Sequence, residues 1–125
     1  MTTPENSPQG NHMPKSRLRT GILFAVGIRP DGATAREVVE VLPAELEPVL
    51  EHEQAGWDHA MRVGWFLLRA NQSGDVDMDV GGRCRLQPKT RAEISGQISR
   101  IPLDDPFLNV LDDIVISSRN RQERH

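Results

Sequence analysis

The sequence predicts a mainly α-helical chain with one small β-hairpin, an α+β fold in which the sheet is minor. Three observations carry this expectation. Apolar residues recur at three- to four-residue spacing in several segments, most clearly from Asp58 to Ala70. Val76, Met78 and Val80 alternate with Asp75, Asp77 and Asp79, the period of a half-buried strand. Gly81-Gly82 follows at once, and Cys84 and Leu86 then alternate around Arg85. A chain of 125 residues suits one domain with a modest core.

The elements follow in order. Residues 1–16 begin polar and proline-rich, with too little apolar surface to repay ordering, and are expected to form a disordered leader. Leu18, Ile22, Leu23 and Val26 fall at helical spacing. Gly21 and Gly27 weaken that pattern, and a short buried strand also fits the run. Arg29-Pro30-Asp31-Gly32 reads as a turn. Thr34 with Glu37 three residues on forms a capping box, so a helix follows through Val38, Val39, Val41 and Leu42 until Pro43. From Ala44, the spacing of Leu46, Val49 and Leu50 predicts a short helix broken at Pro48.

The long helix runs from about Asp58 to Ala70. Its apolar stripe is Met61, Trp65 and Leu68, while Arg62 and Arg69, seven apart, share a face. Asn71, Ser73 and Gly74 stop it. In the hairpin, a three-residue loop of Gly81-Gly82-Arg83 keeps the two faces consistent. It sets Val80 against Cys84, Met78 against Leu86 and Asp79 against Arg85, with Arg83 at the tip. Pro88 closes the second strand, and Thr90 to Ile101 predicts a further short helix. Asp105 as N-cap and Pro106 at the first position open a last helix, with Phe107, Val110, Leu111, Ile114 and Val115 on its apolar face. The polar residues from 119 to 125 are expected to fray.

Composition excludes several classes. No run approaches the ~20 apolar residues of a membrane helix. Met1 to Met13 holds no apolar signal core, so a cytoplasmic location is expected. The single cysteine, Cys84, rules out an intramolecular disulfide framework and a cysteine-based zinc cluster. No catalytic residue, metal site or cofactor is expected. The net charge of −3 is distributed unevenly. Residues 15–29 are purely basic through Lys15, Arg17, Arg19 and Arg29. Residues 30–59 set Arg36 alone against eight acids, and residues 60–100 set seven bases against four acids.

Helices followed by a short two-stranded hairpin is the layout of a winged helix-turn-helix, in which one helix enters the DNA major groove and the hairpin reaches the nearby backbone. Arg62 and Arg69 are then the groove candidates, Arg83 and Arg85 the phosphate candidates, and Lys89, which follows the hairpin, a further DNA-binding candidate. His59, Asn71, Gln72 and Arg91 could add polar contacts, and Lys15, Arg17 and Arg19 a basic arm. The stretch from Arg62 to Gly74, RVGWFLLRANQSG, resembles the helix of the N-terminal winged-helix domain of Mrr-type restriction proteins. Arg62, Val63, Gly64, Trp65, Ser73 and Gly74 carry the resemblance, supported by the upstream DGATAREVVEVLPAEL. It covers roughly residues 17–95. It implies a DNA-reading domain, and the chain leaves no room for the family's separate nuclease domain. Two departures are Asp75, where the family has an apolar residue, and the acidic hairpin with Asp77 and Asp79.

The expected organisation is therefore a leader (1–16), a winged-helix domain (17–95), a C-terminal helical segment (96–118) and a tail (119–125). The C-terminal segment either packs on the domain or pairs with a second copy through Phe107, Val110, Leu111 and Ile114. The function expected is non-enzymatic binding of double-stranded DNA, as a regulator or a recognition component related to restriction systems. The alternative is a winged-helix protein–protein interaction module that has lost DNA binding, which the acidic hairpin favours. Other readings are weaker. Asp77 or Asp79 with Gln87-Pro88-Lys89 superficially matches a nuclease pattern, but the proline disfavours a central strand. His52 and His59 lack an evident third metal ligand. Cys84 reads as a small buried hydrophobe, Trp57 and Trp65 as core, and Gly81-Gly82 as a turn rather than a phosphate loop.

Overall fold

Helix α1 spans Lys15–Gly27 and forms because its apolar residues suit burial on more than one side. Leu18, Ile22, Leu23, Ala25 and Val26 are all buried, and the helix packs against the helices at 35–41, 88–99 and 107–123 and the strand at 84–86. The computed structural model describes residues 15–43, 46, 56 and 58–123. The expected broken helix after Ala44, with His52 and Trp57, lies outside the described residues, as does the leader as far as residue 14. Leu46 is described and fully buried, seated on Gly21, where a Cβ would run into its side chain.

Helix α2, Ala35–Val41, starts at the expected capping box. The Glu37 N–H donates to Thr34 Oγ1 at 3.2 Å, and the Thr34 N–H donates to Glu37 Oε1 at 3.0 Å. Leu42 caps its end before Pro43. Helix α3, His59–Gln72, starts at Asp58, whose carboxylate accepts from the Met61 N–H at 2.8 Å. Strands β1 (Val76–Met78) and β2 (Cys84–Leu86) pair antiparallel. Helix α4 spans Pro88–Ser99 with Pro88 at its first turn, and α5 spans Phe107–Glu123. The Asp105 carboxylate accepts from the Phe107 N–H at 2.9 Å, the expected start signal. No described helix is long and apolar enough to cross a membrane.

The hairpin register differs from the expected one. Val76 pairs with Leu86, Asp77 with Arg85 and Met78 with Cys84. The loop has three residues as expected, but they are Val80, Gly81 and Gly82. The Asp79 N–H donates to the Arg83 carbonyl at 3.0 Å, and the Asp79 carboxylate accepts from the Gly81 and Arg83 N–H groups at 2.9 and 3.0 Å. Gly82 sits at φ +83°, the left-handed position that ends this loop type. Asp79 therefore closes the loop instead of facing Arg85, and Val80 occupies the tip, fully exposed. Arg83 lies at the loop's base. The shift preserves parity, so Val76 and Cys84 still point inward.

A third segment joins this sheet. Ala33, between α1 and α2, bridges Cys84: its N–H donates to the Cys84 carbonyl at 2.9 Å, and the Cys84 N–H donates back at 2.8 Å. Gly32 makes that approach possible. Its φ is +83°, and a Cβ there would collide with the Cys84 carbonyl oxygen.

Three further expectations change. The stripe of α3 that enters the core is Val63, Leu67 and Ala70, not Met61, Trp65 and Leu68, which are 51%, 37% and 38% exposed. The expected boundary at 95/96 falls inside α4, and of the two courses open to the C-terminal segment the burial is that of packing: Phe107, Val110, Leu111 and Ile114 lie in the same core as α1. Those four side chains are consumed by that packing and offer no face to a second copy. Finally, α5 continues to Glu123 where a frayed tail was expected. It stays against α2, with Ser118 buried and Arg121 3.8 Å from Glu40.

Gly32→Ala adds a strained φ and a backbone collision at the backbone bridge between the α1–α2 turn and the hairpin. It is expected to lower the unfolding free energy by at least about 2 kcal/mol. Urea denaturation checks this, and an unchanged midpoint would contradict the account of the bridge.

Candidate functional site

Helix α3 is held from one side by α2 and from another by β1. Its outward face carries Met61, Trp65, Leu68 and Gln72, with Arg62 and Arg69 along one edge. Seven residues at 1.5 Å per residue set those two arginines about 10 Å apart along the axis. Arg62 is half-buried and Arg69 is exposed. Sequence reasoning placed both on one face, and the helix does so.

The other nominated residues are not gathered there. Arg83 turns to α2, where Nη1 donates to Glu37 Oε1 at 3.1 Å and to the Gly32 carbonyl at 3.0 Å, and Nη2 donates to Glu37 Oε2 at 3.3 Å. Its guanidinium is therefore committed to an internal carboxylate. Arg85 is exposed and leans over the preceding turn, with Nε 3.4 Å from the Asp31 carbonyl. Lys89 is exposed at the start of α4, next to the hairpin's root and away from its tip.

Two cations of the expected basic arm, Arg17 and Arg19, are likewise spent inside the molecule. Arg17 forms a two-pronged pair with Asp105, one prong at 2.8 Å, and lies over the Phe107 ring at 5.0 Å from its centre. Arg19 meets Asp75 at 3.2 Å and Glu93 at 3.1 Å. Asp75, the departure from the resembled family, is held further by Thr90, whose Oγ1 donates to it at 3.0 Å. It anchors the start of β1 to α1 and α4. Asp77 accepts a hydrogen bond from Gln87, and Gln87 caps α4, so the Gln87-Pro88-Lys89 triplet opens a helix rather than lying on a strand.

Burial raises the Cys84 thiol to about 11, with the Asp79 charge adding to it, so it is a poor nucleophile. Burial opposes the charge on Glu37, but the Thr34 N–H, the Arg83 hydrogen bonds and the nearby Arg29 outweigh it and hold the carboxyl below its usual range. Asp75 is similar: Thr90, Arg19 and Ser73 overcome its partial burial.

One residue of the region was missed by sequence reasoning. Arg36, in the first turn of α2, is exposed and has no ion-pair or hydrogen-bond partner among the described residues. It was hidden because it stands alone among eight acids in residues 30–59. The capping box was the signal that could have found it, since that motif occupies Glu37 and leaves Arg36 turned outward. Arg36 borders an open cleft of about 350 Å³ between α2, α3 and the hairpin tip.

Comparison of the chain with protein-family models, with curated proteins and with solved structures finds no match.

The paired carboxylates set an acid limit on stability. Asp105 is held at about 2 against an ordinary 3.8, by the Arg17 hydrogen bond first and the Phe107 N–H second. A depressed carboxyl contributes stability that is complete above its unfolded value and lost as pH falls through the folded one. The urea midpoint is therefore expected to hold down to about pH 5 and then fall towards pH 2. Asp105→Asn should remove part of that slope, and a midpoint flat from pH 6 to pH 2 would contradict the assignment.

Proposed function

We propose that this chain is a winged-helix module that binds double-stranded DNA without enzymatic activity, using α3 as the groove helix and the hairpin as the wing. The observation that carries the reading is the order α1, bridging residue Ala33, α2, α3, β1, β2. The Ala33–Cys84 bridge ties the α1–α2 turn to the second hairpin strand and sets the hairpin beside α3. That is the arrangement a groove helix with a flanking wing requires. The likeness of Arg62–Gly74 to the Mrr-type N-terminal domain points the same way.

The cations assigned to DNA are Arg62, Arg69, Arg85 and Lys89. Arg83 contributes less than a free cation of the hairpin, because its guanidinium is held by the Glu37 carboxylate. Met61 and Leu68 on the outward face supply apolar surface of the kind that meets thymine methyl groups.

A second reading is favoured by one observation: the middle of the outward α3 face is apolar, with Met61, Trp65 and Leu68 all more than a third exposed. Such a face also suits a protein partner. Fluorescence anisotropy with a labelled random duplex over a salt series separates the two. DNA binding gives a falling log–log line with a slope of about −0.9 per phosphate contacted. Arg69→Glu is expected to weaken it about tenfold. No retention at the lowest salt, with the fold intact, would transfer the assignment to a protein-interaction module.

A further inference from the structure

The cleft between α2, α3 and the hairpin tip has features that folding alone does not require. Its lining is dominated by residues with little or no side chain: Ala35 on α2, Ala60 and Gly64 on α3, and Gly81 and Gly82 in the loop. Gly64 is the informative one. It lies in the interior of a 14-residue helix, where glycine costs about 1 kcal/mol relative to alanine. Packing does not demand it, because the nearest atom to an added Cβ is the Ala35 Cβ at 3.8 Å, an ordinary contact. The helix therefore carries a destabilising residue whose one local effect is to keep the cleft floor low.

Charges of both signs stand around this cleft: the Asp79 carboxylate holds the Gly81 N–H at 2.9 Å at the loop, against the cations that follow. Arg36 stands at its rim, exposed and without an internal partner among the described residues. Beside it, two guanidiniums, Arg29 at 3.6 Å and Arg83 at 3.1 Å, share the single carboxylate of Glu37. That group keeps a net positive charge even after pairing. The cleft is open to solvent rather than an enclosed cavity, so an extended chain can lie along it. An extended polyanion with charge repeated along it fits such a channel better than a compact anion, which one exposed arginine would hold weakly.

We infer that this cleft seats one strand of the phosphodiester backbone of duplex DNA, with Arg36 contacting a phosphate and Gly64, Gly81 and Gly82 allowing the strand to approach the protein backbone. The inference rests on the DNA-binding reading and adds to it a contact surface and a residue outside the groove helix and the nominated hairpin cations.

The experiment compares wild type, Arg36→Gln, Gly64→Leu and Arg69→Gln by anisotropy with a labelled 16-base-pair random duplex across a salt series. Inorganic phosphate serves as competitor, and thermal melts check each fold. Gly64→Leu fills the cleft floor while improving helix propensity, so its melting temperature is expected to hold or rise. Arg36→Gln is expected to weaken binding roughly three- to tenfold and to reduce the salt slope by about one phosphate. Gly64→Leu is expected to weaken binding at least as much, and millimolar phosphate is expected not to compete. If Arg36→Gln and Gly64→Leu bind as wild type while Arg69→Gln is weakened, the cleft assignment is wrong and the DNA reading stands. If phosphate competes at millimolar concentration, the cleft is a small-anion site and not a backbone seat. If wild type binds no duplex at low salt, both fall together.

Discussion

Burial of α1 is the constraint on which the rest of the structure depends. Five of its apolar side chains are buried, and α2, α4, α5 and β2 all lie against it. An apolar helix of this kind cannot be stable alone in water, so each neighbour is fixed by the surface it must cover. Leu46 covers Gly21, Leu86 lies over Gly27, and Phe107, Val110, Leu111 and Ile114 complete the same core. The C-terminal helix is therefore part of what makes α1 viable. Its charged anchor, Arg17 to Asp105 with the Phe107 ring beneath the guanidinium, ties the start of α1 to the start of α5.

The outward surface follows from that core. Because α3 is gripped by α2 and β1, only one side of it is left to solvent. Because Cys84 hydrogen-bonds through its backbone to Ala33 while β2 pairs with β1, the hairpin cannot swing away from the α1–α2 turn. The same restraint decides which cations are available. Arg17, Arg19, Arg29 and Arg83 are internal struts, whereas Arg36 and Arg69 are exposed without such partners among the described residues.

Much of the fold was legible because short-range signals specify it. Thr34 with Glu37, and Asp105 with Pro106, marked helix starts through backbone N–H groups that need acceptors. The alternation around Val76 to Val80 marked the strand. Two features were not legible, for definite reasons. The hairpin pattern fixes which residues face inward, but a shift of the pairing that preserves parity leaves that pattern unchanged. The choice was made by Gly82 in the left-handed region and by the Asp79 carboxylate capping the loop, neither of which hydrophobic spacing reports. On α3, two apolar stripes compete. The larger side chains Met61, Trp65 and Leu68 form one, but the tight approach of α2 and β1 selects the smaller Val63, Leu67 and Ala70. The candidate site inherited the first error, since Arg83 was placed at an exposed tip that Val80 occupies. Arg36 was passed over for a different reason, its place inside an acidic segment.

The central claim is that α3, the hairpin tip and the cleft between them form one DNA-facing surface. A ¹H–¹⁵N correlation spectrum of the labelled protein, titrated with an unlabelled random duplex, tests it directly. The backbone amides of Arg36, Gly64, Arg69, Gly81 and Gly82 are predicted to shift together, with those of α5 unmoved. Shifts confined to α5, or a spectrum unchanged at excess duplex, would contradict the account.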